Sequence, residues 1–354
     1  MIAAGGTAGH VVPALAVADA LRERGAEVAF AGGERAEAEL VPAAGYPFHR
    51  LAVVGIDRRN PVKAARAVLL ALSATGRARK LLRRLGADAV LGGGGYVAGP
   101  IGLAARSLRL PLGLTEADSH LGVANRLLAP LAQRVFLSFP IDGRDDRRYL
   151  LTGRPLPAAT GRADRAQARR RFELPSGGPV VLVFGGSLGA RRLNEAAVDA
   201  FGEAAPCALL HICGRRDYEH LRMRLEELGA PAHYRLEPYV QPFADALAAA
   251  DLVVARAGGS VLELAAAGLP SILVPYPHAT ADHQTQNARH MERAGAALLL
   301  PDSQLDGPRL AREVAALLSD DCRLAAMRRA AAGAARPDAA ERIADEMLRL
   351  ASPR

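Results

Sequence analysis

Two α/β domains, each a parallel sheet with crossover helices, are predicted for this 354-residue chain. Short apolar runs alternate with amphipathic helical segments along most of its length, the pattern of βαβ units. The alternation breaks once, in a charged stretch bearing Pro and Gly from Asp142 to Asp164, and then resumes. Each half also opens alike, with an apolar strand, a glycine turn (GGTAGH or GGSLGA) and a helix. The boundaries expected are a domain over 1–150, a linker over 151–165, a second domain over 166–337 and a C-terminal helix over 338–354.

In chain order, Ile2–Ala4 reads as a strand stub, short enough to suggest a native start upstream of Met1. A helix from about Val12 to Glu23, a strand over Glu27–Ala31 and a helix over Ala36–Ala43 follow. A basic helical region spans Pro61 to Leu85, and the strand Ala87–Leu91 runs into GGGGYVAGP. A short helix through Ala104, a strand over Pro111–Leu114, the polar turn TEADSH, a helix over Asn125–Ala129 and a strand over Arg134–Leu137 finish the first half. The second half offers strands at Pro179–Phe184, Cys207–Cys213, Tyr234–Leu236 and Leu252–Ala255. Its helices begin at Arg191, Tyr218, Phe243, Leu310 and Asp338. Face-to-face domains of this kind would set both glycine turns at the carboxyl ends of their strands, around one cleft.

Composition narrows the partners. The net charge of +8 and a pI near 9.9 favour anionic ones: a phosphorylated substrate or an anionic lipid surface. Nucleic acid is not expected, because no basic-aromatic platform or nucleic-acid motif occurs. Cys207, Cys213 and Cys322 form no C-x-x-C pair and read as buried free thiols of a reducing compartment. MIAAGGTAGH carries no basic leader, and no apolar run approaches the roughly 20 residues of a bilayer span. The expected location is cytosolic, touching a membrane from that side.

The densest chemistry lies between Ala255 and Ala288. Gly258-Gly259-Ser260 opens a helix, whose N–H groups and positive dipole end suit a phosphate. Glu263 falls in the first turn of that helix, placed either to accept two bonds from a ribose diol or to cap the helix. Gly268-Leu269-Pro270 ends it, Ser271–Pro275 is a buried strand, and a loop rich in His, Asp, Gln and Asn follows. In the first turn, Gly5–His10 is not G-x-G-x-x-G and lacks a following ribose acid, which argues against a dinucleotide. His10, at a helix N-terminus where its cation is disfavoured, suits a general base or a helix cap. Ser187 of GGSLGA is placed either to donate to a phosphate oxygen or to serve a tight turn. Four glycines before Tyr96 imply close approach of a ligand or of the other domain. No D-x-D follows a strand and no His/Cys cluster has metal spacing, so a metal is not required.

Taken in order, GGTAGHVVPALAVADAL, LVPAAGYPF, GGGGYVAGPIGLAARSL, GGSLGARRLNE, RAGGSVLELAAAGLPSILVPYPH and HQTQNARHMERAGAA resemble the MurG-type glycosyltransferases over nearly the whole chain. The resemblance implies a GT-B fold, two Rossmann-like parallel-sheet domains facing a central cleft. It further implies an inverting, metal-independent and cofactor-free transfer of GlcNAc from UDP-GlcNAc to undecaprenyl-pyrophosphoryl-MurNAc-pentapeptide (lipid I) at the cytoplasmic membrane face. By motif, Thr7, Ala8 and Gly9 belong to the first substrate-binding turn, with Tyr96 beyond it, and Ser187 to the second. Val240 lies beside the uracil, Gly259, Ser260 and Glu263 meet the nucleotide, with Glu263 on the ribose, and Gln284 reaches the donor sugar. His10 is the favoured base, with Glu116 the second catalytic candidate and Asp118 near the donor sugar.

The chain departs from that pattern where Ala8 and Leu188 replace a glycine and a glutamine, Asp118 stands for an amide, and Pro157 replaces an arginine. Arg154 or Arg162 are its candidate substitutes. Between Ile56 and Leu85 the chain has nine basic residues, no acid after Asp57 and the apolar run Ala67–Leu72. That one-sided charge suits an anionic leaflet. Rival readings are another lipid or natural-product glycosyltransferase, a UDP-GlcNAc epimerase, a NAD-binding oxidoreductase and a non-catalytic nucleotide-sugar sensor.

Overall fold

The computed structural model describes residues 1–53, 61–185 and 190–352, with the side chains of 61–72 outside the described set. Two units are present, Met1–Pro157 with Arg336–Arg354, and Ala158–Ala335. In the first, β1 (Ile2–Ala3), α1 (Ala8–Glu23), β2 (Phe30–Gly32), α2 (Ala36–Ala43) and β3 (Phe48–Arg50) come first. Then follow α3 (Pro61–Arg84), β4 (Val90–Gly92), α4 (Ala98–Ser107), β5 (Leu112–Glu116), α5 (Val123–Leu128), β6 (Arg134–Leu137) and β7 (Tyr149–Leu151). Every described strand pair is parallel, and the order is β3-β2-β1-β4-β5-β6-β7. β1 is two residues long yet central, and both its residues are buried between covering helices.

The second unit runs α6 (Arg165–Arg171), β8 (Val180–Phe184), α7 (Arg191–Phe201), β9 (Ala208–Ile212), α8 (Tyr218–Glu227) and β10 (Tyr234–Glu237). It continues with α9 (Phe243–Ala249), β11 (Leu252–Ala255), α10 (Val261–Ala266), β12 (Ser271–Leu273), α11 (His283–Arg293), β13 (Ala297–Leu299), α12 (Gly307–Leu318) and α13 (Asp321–Ala334). Its parallel order is β10-β9-β8-β11-β12-β13. β8 is wholly buried, as five consecutive apolar residues require of a central parallel strand. In both sheets the strand order reverses beside the first strand, at β1/β4 and at β8/β11. Open α/β sheets bind ligands at such switch points.

α14 (Ala339–Ala351) ends the helices and packs its buried face, Ile343, Ala344 and Met347 among it, into the first unit's core with Val17, Leu21 and Phe136. Arg24–Asp345 and Arg134–Glu346, each 2.6 Å, fasten it at the rim.

Several elements differ from expectation. α1 starts at Ala8, so Gly9 and His10 lie inside its first turn instead of before it. β3, β7 and β13 are three-residue strands that short, charged or mixed sequence does not announce. α6, with four arginines in seven residues, is anchored most deeply by Arg169, buried against Asp251 and four carbonyls, while Arg165 also pairs with Asp251 and Arg171 with Asp245. Cys207 and Cys213 are buried, whereas Cys322 is exposed, because it stands on the solvent side at the start of α13.

Candidate functional site

At the first switch point the turn after β1 is built by backbone geometry. Gly6 has φ +112°, which L side chains rarely adopt, and Thr7 is extended at the N-cap of α1. The turn after β4 presses on it. A Cβ on Gly95 would lie 2.0 Å from the Gly5 carbonyl oxygen, and one on Gly94 would lie 2.5 Å from His10 Cδ2. These glycines serve the approach of a turn in the same unit.

His10 is half-buried, with Nδ1 3.4 Å from Thr7 Oγ1. Burial, and then the Arg154 guanidinium, hold its pKa below the ordinary 6.5, against opposing pulls from Asp118 and Glu37. Arg154 Nη2 donates to the Gly9 carbonyl at 2.8 Å. The first unit thus brings together Thr7, Ala8, Gly9, His10, Tyr96, Asp118 and Arg154. Below them lies Glu37, which the sequence reading missed. It accepts from Gly6 N at 2.8 Å, Gly33 N at 2.9 Å and Tyr96 Oη at 3.3 Å.

Glu116 ends β5 and is buried. Gly122 N at 2.8 Å and Asn125 Nδ2 at 2.9 Å donate to its Oε2, and Asp118 N at 3.2 Å to its Oε1. Burial raises its pKa, while those three bonds oppose the rise. Such a carboxylate shapes the 116–125 loop that presents Asp118.

In the second unit, Gly259 and Ser260 lead into α10, with Ser260 at its N-cap and Glu263, half-buried, in its first turn. Arg256, 7% exposed, sits just before them. Its Nη1 donates to the carbonyls of Val274 at 3.2 Å and Pro275 at 3.3 Å, and to Asp302 Oδ1 at 2.6 Å. Asn287 Nδ2 holds the Ala257 carbonyl at 3.0 Å, tying α11 to the same turn. Gln284 accepts from Tyr276 N at 2.9 Å. Val240 is buried ahead of α9, and Phe243 meets Phe184 edge-on at 5.0 Å, joining α9 to the end of β8. Arg256 and Asn287 also went unassigned from sequence. Ser187 and Leu188 lie outside the described residues. Among the described residues no group of three or more His, Cys, Asp or Glu is placed to hold a metal.

In α3, Ala74, Ala78, Leu81 and Leu82 are buried, while Arg77, Arg79, Lys80, Arg83 and Arg84 are exposed. Leu85, Leu103 and Leu127 are exposed beside this helix and on α4 and α5. The side chains of Ala67–Leu72 lie outside the described set, and no described helix is long and apolar enough to cross a membrane.

Residues 1–137 match the glycosyltransferase family 28 N-terminal domain, and residues 180–343 the family 28 C-terminal domain. A UDP-N-acetylglucosamine–N-acetylmuramyl-(pentapeptide) pyrophosphoryl-undecaprenol N-acetylglucosamine transferase of Methylococcus capsulatus is 43% identical, covering 98% of this chain and 97% of that one. The Halorhodospira halophila protein of the same name is 44% identical over 97% and 96%. The crystal structure of Acinetobacter baumannii MurG superposes with a TM-score of 0.78 at 32% identity, covering 99% of this chain and 98% of that one. With the GT-B architecture and both domain models in chain order, this chain belongs to glycosyltransferase family 28, in its MurG group.

Proposed function

We propose that the chain transfers GlcNAc from UDP-GlcNAc to the 4-hydroxyl of MurNAc in undecaprenyl-pyrophosphoryl-MurNAc-pentapeptide, turning lipid I into lipid II for peptidoglycan synthesis. The observation that carries this reading is His10, half-buried and held neutral at the first switch point, on a chain whose relatives bear this activity in their names. In the transfer the acceptor oxygen attacks C1 of GlcNAc and inverts it. The bond from C1 to the phosphate oxygen breaks, UDP leaves with the electron pair, and His10 takes the acceptor proton. The second unit binds the donor. Glu263 accepts from the ribose, Val240 lies beside the uracil, Gln284 faces the sugar, and the Gly259-Ser260 turn with Ser187 serves the diphosphate. Thr7, Ala8, Gly9, Tyr96 and Asp118 border the acceptor side. Glu116 acts by holding the Asp118 loop. No metal takes part in this reading; the backbone N–H groups of the Gly259-Ser260 turn serve the leaving charge.

The first domain docks on an anionic membrane from the cytoplasmic side, through the basic face of α3 and the exposed leucines. Binding to vesicles should rise with anionic lipid and fall with salt. Turnover of radiolabelled UDP-GlcNAc with a lipid I analogue, beside a panel of other UDP-sugars, tests the main reading. Transfer from a different donor only, or release of free sugar without an acceptor product, would overturn it.

A further inference from the structure

Three adjacent strands, β2, β1 and β4, all end at the first switch point, and the turn that follows each contains glycine. Crowding three turns together buries backbone N–H groups that need acceptors. One side chain supplies them. Glu37 projects from the first turn of α2, is wholly buried, and receives Gly6 N from the β1 turn, Gly33 N from the β2 turn and Tyr96 Oη from the β4 turn. Its fit is close. A Cβ at Gly5 would come 2.7 Å from Glu37 Oε1, one at Gly32 would come 2.7 Å from Glu37 Cγ, and one at Gly33 would strike Tyr96 Oη at 2.3 Å.

We infer that Glu37 is a positioning residue for glycosyl transfer, joining the three turns so that His10 is held in place for its proton transfer. The inference rests on the reading of His10 as the base. A neutral acceptor such as glutamine can satisfy some of these donors. A carboxylate satisfies all three with two equivalent oxygens, and it adds a negative charge near the imidazole. The charged groups acting on His10 are Arg154, which disfavours the imidazolium, and Asp118 and Glu37, which favour it. The imidazolium formed on proton uptake is therefore supported by the same group that fixes the turn.

The test compares Glu37→Gln, His10→Ala and the double variant in the full-length protein, with lipid I analogue turnover, UDP affinity and the pH profile as readouts. Glu37→Gln should lower kcat at least about tenfold, leave the UDP Kd within about twofold, and move the acid limb of kcat/KM to lower pH. The double variant should be no slower than His10→Ala alone, because the two residues act as one unit. Glu37→Asp keeps the charge but shortens the reach. It should hold the acid limb while lowering kcat, and it carries the test if the glutamine variant does not fold. Wild-type kcat and an unmoved limb in Glu37→Gln, beside an inactive His10→Ala, would reduce Glu37 to packing. Multiplied losses in the double variant would equally overturn the inference. Near-normal turnover of His10→Ala would instead remove the base assignment on which it stands.

Discussion

The two switch points are braced by buried side chains of opposite kind, a carboxylate at the first and a guanidinium, itself paired with Asp302, at the second. Beneath the first lies Glu37, which can only accept and therefore holds N–H groups, those of Gly6 and Gly33. Beside the second lies Arg256, which can only donate and therefore holds carbonyls, those of Val274 and Pro275. The same backbone requirement is met by inverse means, with unlike consequences for a ligand. An anion under a turn draws its amides inward and repels phosphate. Arg256 leaves the turn amides out of its brace, and Asp302, 2.6 Å from its Nη1, offsets its charge. Sheet order alone makes the units equivalent; the side chain that braces each switch point tells them apart.

Substitutions should separate along that line. The largest effect is expected for His10→Ala, with kcat lowered about 10²–10⁴-fold and the UDP Kd unchanged by calorimetry; a weakened Kd would mix the two roles. Arg256→Ala should do the reverse, raising the UDP Kd more than about tenfold. It also strips a buried partner from Asp302. The loss should sit toward the lower end of about 3–5 kcal/mol, because Arg192 remains 3.7 Å from that carboxylate. Thermal denaturation should show a drop on the order of 5–10 °C.

Glu263→Ala comes next. Losing charge-assisted bonds to a ribose should raise the donor constant about tenfold or more. An unchanged UDP Kd would take the ribose away from Glu263. Arg154→Ala has a smaller effect with a definite sign. Arg154 lowers the His10 pKa, so its removal lets that pKa rise toward 6.5. The base must be neutral, so the acid limb of kcat/KM should move to higher pH. Activity near pH 6 should fall while activity near pH 8.5 stays within a few-fold. A limb that moves down would contradict the electrostatics of the first turn. The smallest effect is expected from a chelator, with turnover in excess EDTA within about twofold of the untreated enzyme; a large loss restored by a divalent ion would return the leaving charge to a metal.

Sequence made the long and strongly patterned elements legible. Val180–Phe184 is apolar at every position, and α9 and β11 end where their sequence ends. The order of glycine turns located Thr7–His10 and Gly258–Glu263 without any structure. The edge strands β3 and β7 escaped, since FHR and YLL gain strand geometry only from a neighbour's ladder. The start of α1 was misplaced for a related reason. Gly9 and His10 are weak helix formers, and Thr7, extended at the N-cap, marks where the helix begins. Glu37 and Arg256 were illegible because one charged residue in a helix or at a strand end looks the same in sequence whether solvated or buried. Glu39, two residues on in α2, has the same local sequence credentials and no such bonds among those described. Glu116 shows the converse, a carboxylate noticed from its motif whose three bonds within 116–125 only the structure displays.

The return of α14 to the first unit bears on how the chain is made. Residues 158–335 are inserted, in sequence, within a unit whose last helix follows them. A ribosome adding roughly 5–20 residues per second leaves the first sheet waiting on the order of ten seconds or more for that helix. During that interval the surface formed by Val17, Leu21 and Phe136 has no α14 to cover it. The first unit is thus the first to begin and the last to finish. A nascent chain stalled before Arg336 should present that apolar strip to chaperones, even with the second unit fully formed.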